Sequence, residues 1–374
     1  MENYVKGAVL GTGTFGEVYK ATHKQTGEVV AVKKIRVVDA KEGINVTALR
    51  EIKILRELKG CPNIVNLLDA WTLKKNILLV FDFMVGDLEA IIKDKAIVLS
   101  ASDIKSYMQM IMKGLADCHR CWVIHRDMKP NNCLISPTGE LKLGDFGLSR
   151  LLGSPERGRP YTNQVFARWY RSPELLYGST MYGFAPDVWA AGCIFAELLL
   201  RRPWFPGESD IDQLGKVFQA LGTPSEESWP GVTSLPNYLE FQKVLAPPLK
   251  NLFPKASEDA LDLLSKMVAL DPKKRLMAHQ VLAHRFFSTF PLPTPPSKLP
   301  KPVSREAEPL QNAPLPSIQI SRPAGYQQKE ESAISLGKLS TTSTRSPQPA
   351  AAASPGVRPS KRHQAEMGHN SPRL

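Results

Sequence analysis

The chain has 374 residues, 43% of them hydrophobic, and carries 48 basic against 36 acidic side chains for a net charge of +12. That length exceeds one average domain and predicts two lobes or two domains. The basic balance suits acidic or phosphorylated partners, but a solvated basic surface accounts for it more simply than direct nucleic-acid binding, which is not expected. Five cysteines without framework spacing argue against a disulfide scaffold and fit a reducing compartment. Cys118 and Cys121 form a CxxC, yet no second pair supplies the four ligands of a structural zinc. No basic-then-apolar segment opens the chain. The longest apolar run, 188–200, contains Glu197 and is too short for a bilayer. A soluble intracellular protein with no membrane partner is expected.

Residues 4–10 alternate enough to form a strand. Gly11-Thr12-Gly13-Thr14-Phe15-Gly16 follows. Alone this GxGxxG is a weak signal, because in dinucleotide-binding folds it opens a helix. Here a β-type run, Val18-Tyr19-Lys20-Ala21, comes next, then a Thr26-Gly27 turn and a second strand over 29–35. The glycines therefore sit in a hairpin, where the missing Cβ lets backbone approach phosphates closely. Ala31-Val32-Lys33 lies on the second strand. Residues 45–55 place apolar side chains at helical spacing and carry Arg50 and Glu51. Residues 77–83 read as a buried strand leading to a linker at Asp82-Phe83-Met84. A long helix is expected over 102–120, with Ser102 as its N-cap.

The helix delivers the chain to His125-Arg126-Asp127-Met128-Lys129-Pro130-Asn131-Asn132, and Asp145-Phe146-Gly147 follows. Asp127 can accept a proton from a hydroxyl, and Lys129 can neutralise a phosphoryl group in flight. Asn132 and Asp145 offer oxygen ligands to a hard cation such as Mg²⁺. This set suits phosphoryl transfer, where positioning and charge stabilisation do most of the catalysis.

These motifs, at this spacing, resemble the protein kinases. The resemblance implies an α+β bilobal kinase fold over about 1–290. A small β-rich N-lobe would end near 84, and a larger helical C-lobe would fill 85–290. It implies ATP and Mg²⁺ as cofactors, with Asn132 and Asp145 holding the metal. Leu10, Gly11, Gly13, Gly16, Val18 and Ala31 would surround the nucleotide, and Lys33 would hold its α- and β-phosphates while pairing with Glu51. The backbone of Asp82 and Met84 would bond adenine, with Phe81 as gatekeeper, Leu134 as floor and Asp87 near the ribose. His125 is expected to pack rather than catalyse. Asp187 would anchor the catalytic loop.

Asn45-Val46-Thr47-Ala48-Leu49-Arg50-Glu51 is similar to the cyclin-contacting helix of cyclin-dependent kinases, most of all in their activating kinases. The resemblance to the plant D-type branch extends through 165–171 and 190–197. It implies an H-type cyclin partner, an assembly factor, a nuclear location with cytoplasm as a second compartment, and two substrates. These are the activation loops of other cyclin-dependent kinases and the C-terminal repeat of RNA polymerase II. Thr162 stands where the family carries its activating phosphothreonine, Ser154 is a second phosphosite, and Arg50, Arg126 and Arg150 would converge on the phosphate. Arg171 is associated with preference for proline after the target residue.

The chain also departs from the family pattern. Phe15 replaces a tyrosine that cell-cycle members phosphorylate. Ser172-Pro173-Glu174 stands for the usual APE, with Glu174 still able to pair with Arg275. Ala167 replaces a threonine that positions the catalytic aspartate and lysine. The alternatives are a cell-cycle or transcriptional kinase of another branch and, more remotely, a pseudokinase scaffold. From Pro291 the composition turns to Pro, Ser, Ala and Gln, with 11 basic and 5 acidic residues, and a disordered basic tail over 291–374 is expected.

Overall fold

The computed structural model describes residues 3–13, 16–36, 46–73, 76–153 and 160–302. Ser154, Thr14, Phe15 and the chain beyond 302 lie outside them.

The N-terminal lobe is a five-stranded antiparallel sheet in the order β1-β2-β3-β5-β4, formed by Tyr4–Gly13, Gly16–His23, Val29–Arg36, Leu67–Leu73 (β4) and Asn76–Asp82 (β5). Its alternation decides the two faces. Tyr19, Val30, Val32, Leu78 and Val80 form a small separate cluster on one side. Ile35, Ile77, Leu79 and Phe81 join the main core on the other, with helix α1 (Val46–Glu57). α1 sends Ala48, Ile54 and Leu55 into that core at helical spacing.

The C-terminal lobe is mainly helical. It contains α2 (Leu88–Lys93), α3 (Ala101–Arg120), α4 (Pro173–Leu176), α5 (Ala185–Leu200), α6 (Asp210–Leu221), α7 (Leu249–Leu252), α8 (Glu258–Met267) and α9 (Ala278–Leu282). Two small sheets accompany the helices: β6-β8-β9 (Gly86–Asp87, Cys133–Ile135, Leu141–Leu143) and β7 with β10 (Val123–Ile124, Arg150–Leu151). α5 is buried nearly all round, as its continuous apolar sequence requires.

Two expectations are corrected. The N-cap of α3 is Ser100, not Ser102: Ser100 Oγ accepts from Asp103 N at 3.1 Å, and Asp103 Oδ2 accepts from Ser100 N at 2.9 Å. This reciprocal capping box satisfies two helix-end donors, which a cap at Ser102 would leave open. The tail does not begin at Pro291. Residues 291–302 are packed on the C-terminal lobe, where Leu299 is buried and Thr294 donates from Oγ1 to Asp103 Oδ1 at 2.7 Å.

Candidate active site

The register of the sheet builds the upper wall. Gly11 pairs with Val18, Gly13 with Gly16, Val18 with Lys33, and Ala31 with Phe81. Gly16 has φ +148°, and a Cβ there would lie 1.8 Å from the Lys34 carbonyl oxygen, so no other residue fits. Leu10, at the open side of β1, is exposed.

Alternation places Lys33 on the face turned toward α1. Its Nζ donates to Glu51 at 3.0 and 3.1 Å and to Asp145 Oδ1 at 3.0 Å. One ammonium thus ties the sheet, α1 and the loop after β9 together. Burial alone would lower the Lys33 pKa, but the two carboxylates outweigh it and raise it. Burial likewise pushes Asp145 up, and Lys33 reverses this, leaving Asp145 below the ordinary aspartate value. Glu51, 2% exposed, stays above its ordinary value because burial dominates there.

The catalytic loop is held from beneath. Asp187, fully buried on α5, accepts from the backbone N–H groups of His125 and Arg126, both at 2.9 Å, and contacts His119 Nε2 at 3.0 Å. His125 is a packing residue: its Nε2 meets the Gly144 carbonyl at 3.0 Å and its ring lies 4.8 Å from that of Phe146. Arg126 takes φ +66°, a left-handed conformation rare outside glycine. Asp127 Oδ2 accepts from Lys129 Nζ at 2.8 Å and from Asn132 Nδ2 at 2.9 Å. The aspartate–lysine pair therefore forms directly, with Ala167 standing in place of threonine.

Asn132 and Asp145 fit a hard cation. Both described bonds of the Asn132 side chain use its amide nitrogen, one to Asp127 O and one to its Oδ2, which leaves the amide oxygen for a metal. Gly144 N donates to Asn132 O at 2.9 Å and draws the two segments together. On the lower wall Leu134 pairs with Asp87 across β6 and β8, and Asp87 also caps α2 by accepting from Ala90 N at 2.9 Å. Asp82 closes β5 opposite Val30, and Met84 is half-buried in the linker beyond it.

The three arginines converge. Burial first, then the positive charges of Arg150 and Arg126, lower the Arg50 pKa. Arg126 donates from Nε to Leu148 O at 2.8 Å and from Nη1 to Tyr182 OH at 3.3 Å, while Tyr182 OH donates to Thr162 O at 2.6 Å. Thr162 is exposed beside this group. Further on, Arg171 donates to the carbonyls of Val165 at 2.8 Å and Phe166 at 3.1 Å, and Phe166 has φ +63°. Glu174 and Arg275 make the expected buried pair through two bonds of 2.6 Å.

Sequence reasoning missed His119, Tyr182 and Asp210. Asp210 lies 2.9 Å from Arg168 and 3.3 Å from Arg171. No local motif marks these partners, which are supplied by distant helices and loops.

A protein kinase domain model matches residues 4–287. The chain is 58% identical over 323 residues to cyclin-dependent kinase D-1 of Arabidopsis thaliana, a match covering 86% of this chain and 80% of that protein. It is 52% identical over 334 residues to cyclin-dependent kinase 7 of Xenopus laevis, covering 88% and 94%. Among solved structures it is similar to a chain of the CAK complex from Chaetomium thermophilum bound to ATP-gamma-S, with a TM-score of 0.76, 41% identity, and 80% and 95% of the two chains covered.

Proposed function

The chain belongs to the protein kinase family, among the cyclin-dependent kinases, and from that premise we propose that it activates other cyclin-dependent kinases by phosphorylating their activation loops. A second substrate is the C-terminal repeat of RNA polymerase II. The observation that carries the catalytic part is the closed Lys33–Glu51–Asp145 set beside Asp127 and Asn132. The likeness to the CAK complex and to cyclin-dependent kinases D-1 and 7 supports the activating role.

In the proposed reaction ATP binds between the lobes, adenine against the backbone of Asp82 and Met84 above Leu134, its ribose near Asp87. Lys33 positions the α- and β-phosphates. Asn132 and Asp145 hold Mg²⁺, which supplies charge neutralisation on the phosphates when bound. Asp127 orients the substrate hydroxyl and takes its proton, while Lys129 stabilises the charge of the moving phosphoryl group. Because Arg171 already satisfies the Phe166 carbonyl, that carbonyl does not need an N–H from the peptide. Proline, which has none, is accepted after the target residue.

A cyclin, H-type by resemblance, presses on α1 and keeps Glu51 against Lys33, and an assembly factor steadies the pair. Phosphate on Thr162 would join Arg50, Arg126 and Arg150. A nuclear location follows from the two substrates.

The test is transfer of labelled phosphate from ATP with Mg²⁺ to two substrates: a catalytically dead cyclin-dependent kinase with its loop threonine intact, and a polymerase repeat peptide. Both are assayed with and without an H-type cyclin. Label on the kinase loop, lost in Asp127→Asn, is expected. Label on the peptide alone would move the assignment to a purely transcriptional kinase. No label on either, with cyclin bound, would favour a scaffold.

A further inference from the structure

The strand leading to Asp145 carries one charged side chain to which the proposed reaction gives no part. β9 pairs with β8 and β8 with β6, and this register aligns Asp87, Leu134 and Lys142 in one row across the small sheet. Such a row shares one face. The flanking Cys133, Ile135, Leu141 and Leu143 turn to the other face and are fully buried, whereas all three members of the row are half-buried. Two of the three already have a place in the proposed reaction, Asp87 near the ribose and Leu134 beneath adenine. Lys142 is the third.

Its ammonium does not point into open solvent. Lys142 Nζ donates to Asp82 Oδ2 at 2.9 Å, and the two side chains are only 19% and 25% exposed. Lys142 belongs to the C-terminal lobe, while Asp82 is the last residue of β5, where the linker leaves the N-terminal lobe. Among the described residues no other side chain bonds to the Asp82 carboxylate. The strand beneath is itself fixed: Leu143 N donates to Asn63 O at 2.8 Å, and Val65 N donates to Leu143 O at 2.9 Å. Lys142 is therefore a post on an immobilised strand, and it grips the first residue of the linker.

The rest of the linker is held from other directions. Lys20 Nζ, on β2, lies 5.1 Å over the Phe83 ring. Val85 N donates to Ile135 O at 2.9 Å and seats the far end on β8. A partly exposed ion pair contributes little to global stability, so what the Lys142–Asp82 pair supplies is position.

We propose that Lys142 is a positioning residue for base recognition: through Asp82 it holds the linker backbone at the spacing that accepts adenine and rejects guanine. Adenine offers an amine donor and a ring-nitrogen acceptor to a backbone carbonyl and N–H. Guanine offers a carbonyl oxygen and a ring N–H, the reverse pattern. A linker held in place leaves backbone groups unpaired against guanine, which costs affinity, whereas a loosened one can re-aim them. The inference rests on the reading that the backbone of Asp82 and Met84 bonds adenine.

The test is a set of dissociation constants on the full chain, measured by calorimetry for ATP, GTP and inorganic tripolyphosphate, each with Mg²⁺. Wild type should prefer ATP to GTP by more than about tenfold. Lys142→Met, which keeps the apolar stem, should weaken ATP about fivefold, the worth of one hydrogen bond, and leave GTP and tripolyphosphate within about twofold. Lys142→Arg, which can still reach the carboxylate, should keep the wild-type preference. Asp82→Ala should act as Lys142→Met does, and the double variant should be no worse than either single one. The thermal transition of each variant reports folding, and Asp82→Ala probes the pair from its other side should Lys142→Met fail to fold. Loss of all three ligands in parallel would mark general damage and overturn the proposal. So would an ATP preference that survives Lys142→Met, which leaves the adenine reading intact. A wild-type chain without preference for ATP would instead sink the adenine reading, and the proposal with it.

Discussion

Lys33 lies 3.0 Å from both Glu51 and Asp145, so the charge state of the cleft is a three-body matter. Asp145 is held below its ordinary value of 3.8, and its ionic contribution is present above that value and lost as pH falls through the depressed one. Lys33 is raised above 10.5, so its contribution is complete below that value and lost as pH rises beyond it. Between these limits the lysine offsets two carboxylates. Lys33→Met removes the offset and leaves Glu51 and Asp145 repelling each other, which raises both carboxyl pKa values. The variant should lose phosphoryl transfer by at least about 100-fold. Its deficit in thermal transition temperature should also shrink as pH falls from 7 to 5, because the carboxyls protonate. A deficit that stays constant across that range would show that Lys33 does not neutralise the buried pair.

Elements position the remaining chemistry. The catalytic loop hangs from α5 through Asp187, whose two oxygens meet two backbone N–H groups. Asp187→Asn turns one acceptor into a donor facing a donor. The expected loss is about 2–3 kcal/mol in denaturant unfolding, with kcat falling much more than KM for ATP rises, since Asp127 rather than the nucleotide wall loses its support. The segment around Thr162 follows a second logic, in which three guanidiniums converge and Arg50 feels the other two. Phosphate at Thr162 should raise the thermal transition temperature, and Arg50→Gln should remove most of that increment. An equal increment in the variant would place the phosphate elsewhere. The groups proposed as catalytic were legible in the sequence because Asp127, Lys129, Asn132 and Asp145 lie within one short stretch whose residue types suit the chemistry. Lys33 and Glu51 are read from the resemblance to the protein kinases; strand and helix patterning places them on their elements without marking them as partners. His119, Tyr182 and Asp210 were not legible, because their roles exist only once α3, α5 and α6 are packed around the loops.

At the scale of the whole molecule, the fold continues past the point where composition changes. Proline-rich sequence after 290 reads as tail because it has no periodicity, yet its contacts are made by a backbone N–H, a hydroxyl, a carbonyl, an ammonium and one buried leucine, which need none. Thr294 N donates to Ser102 O at 3.2 Å, Tyr107 OH donates to Pro300 O, and Lys301 Nζ donates to Pro137 O at 2.8 Å. Pro302 then packs on Gly86 of β6, where an added Cβ would lie 2.7 Å from the proline ring. The strap thus runs from the start of α3, past the β8–β9 turn, to the strand that carries Asp87. Ending the chain after Phe290 removes the Leu299 anchor, worth about 1.5–3 kcal/mol, and several hydrogen bonds of about 1 kcal/mol each, offset in part by the regained chain entropy. The thermal transition should fall by several degrees, whereas ending after Pro302 should leave it unchanged. Gly86→Ala provides the specific control. It should destabilise the chain that ends at 302 and be nearly neutral in the chain that ends at 290, because the clash needs the strap. Equal effects in both backgrounds would mean that the strap does not press on β6 in solution.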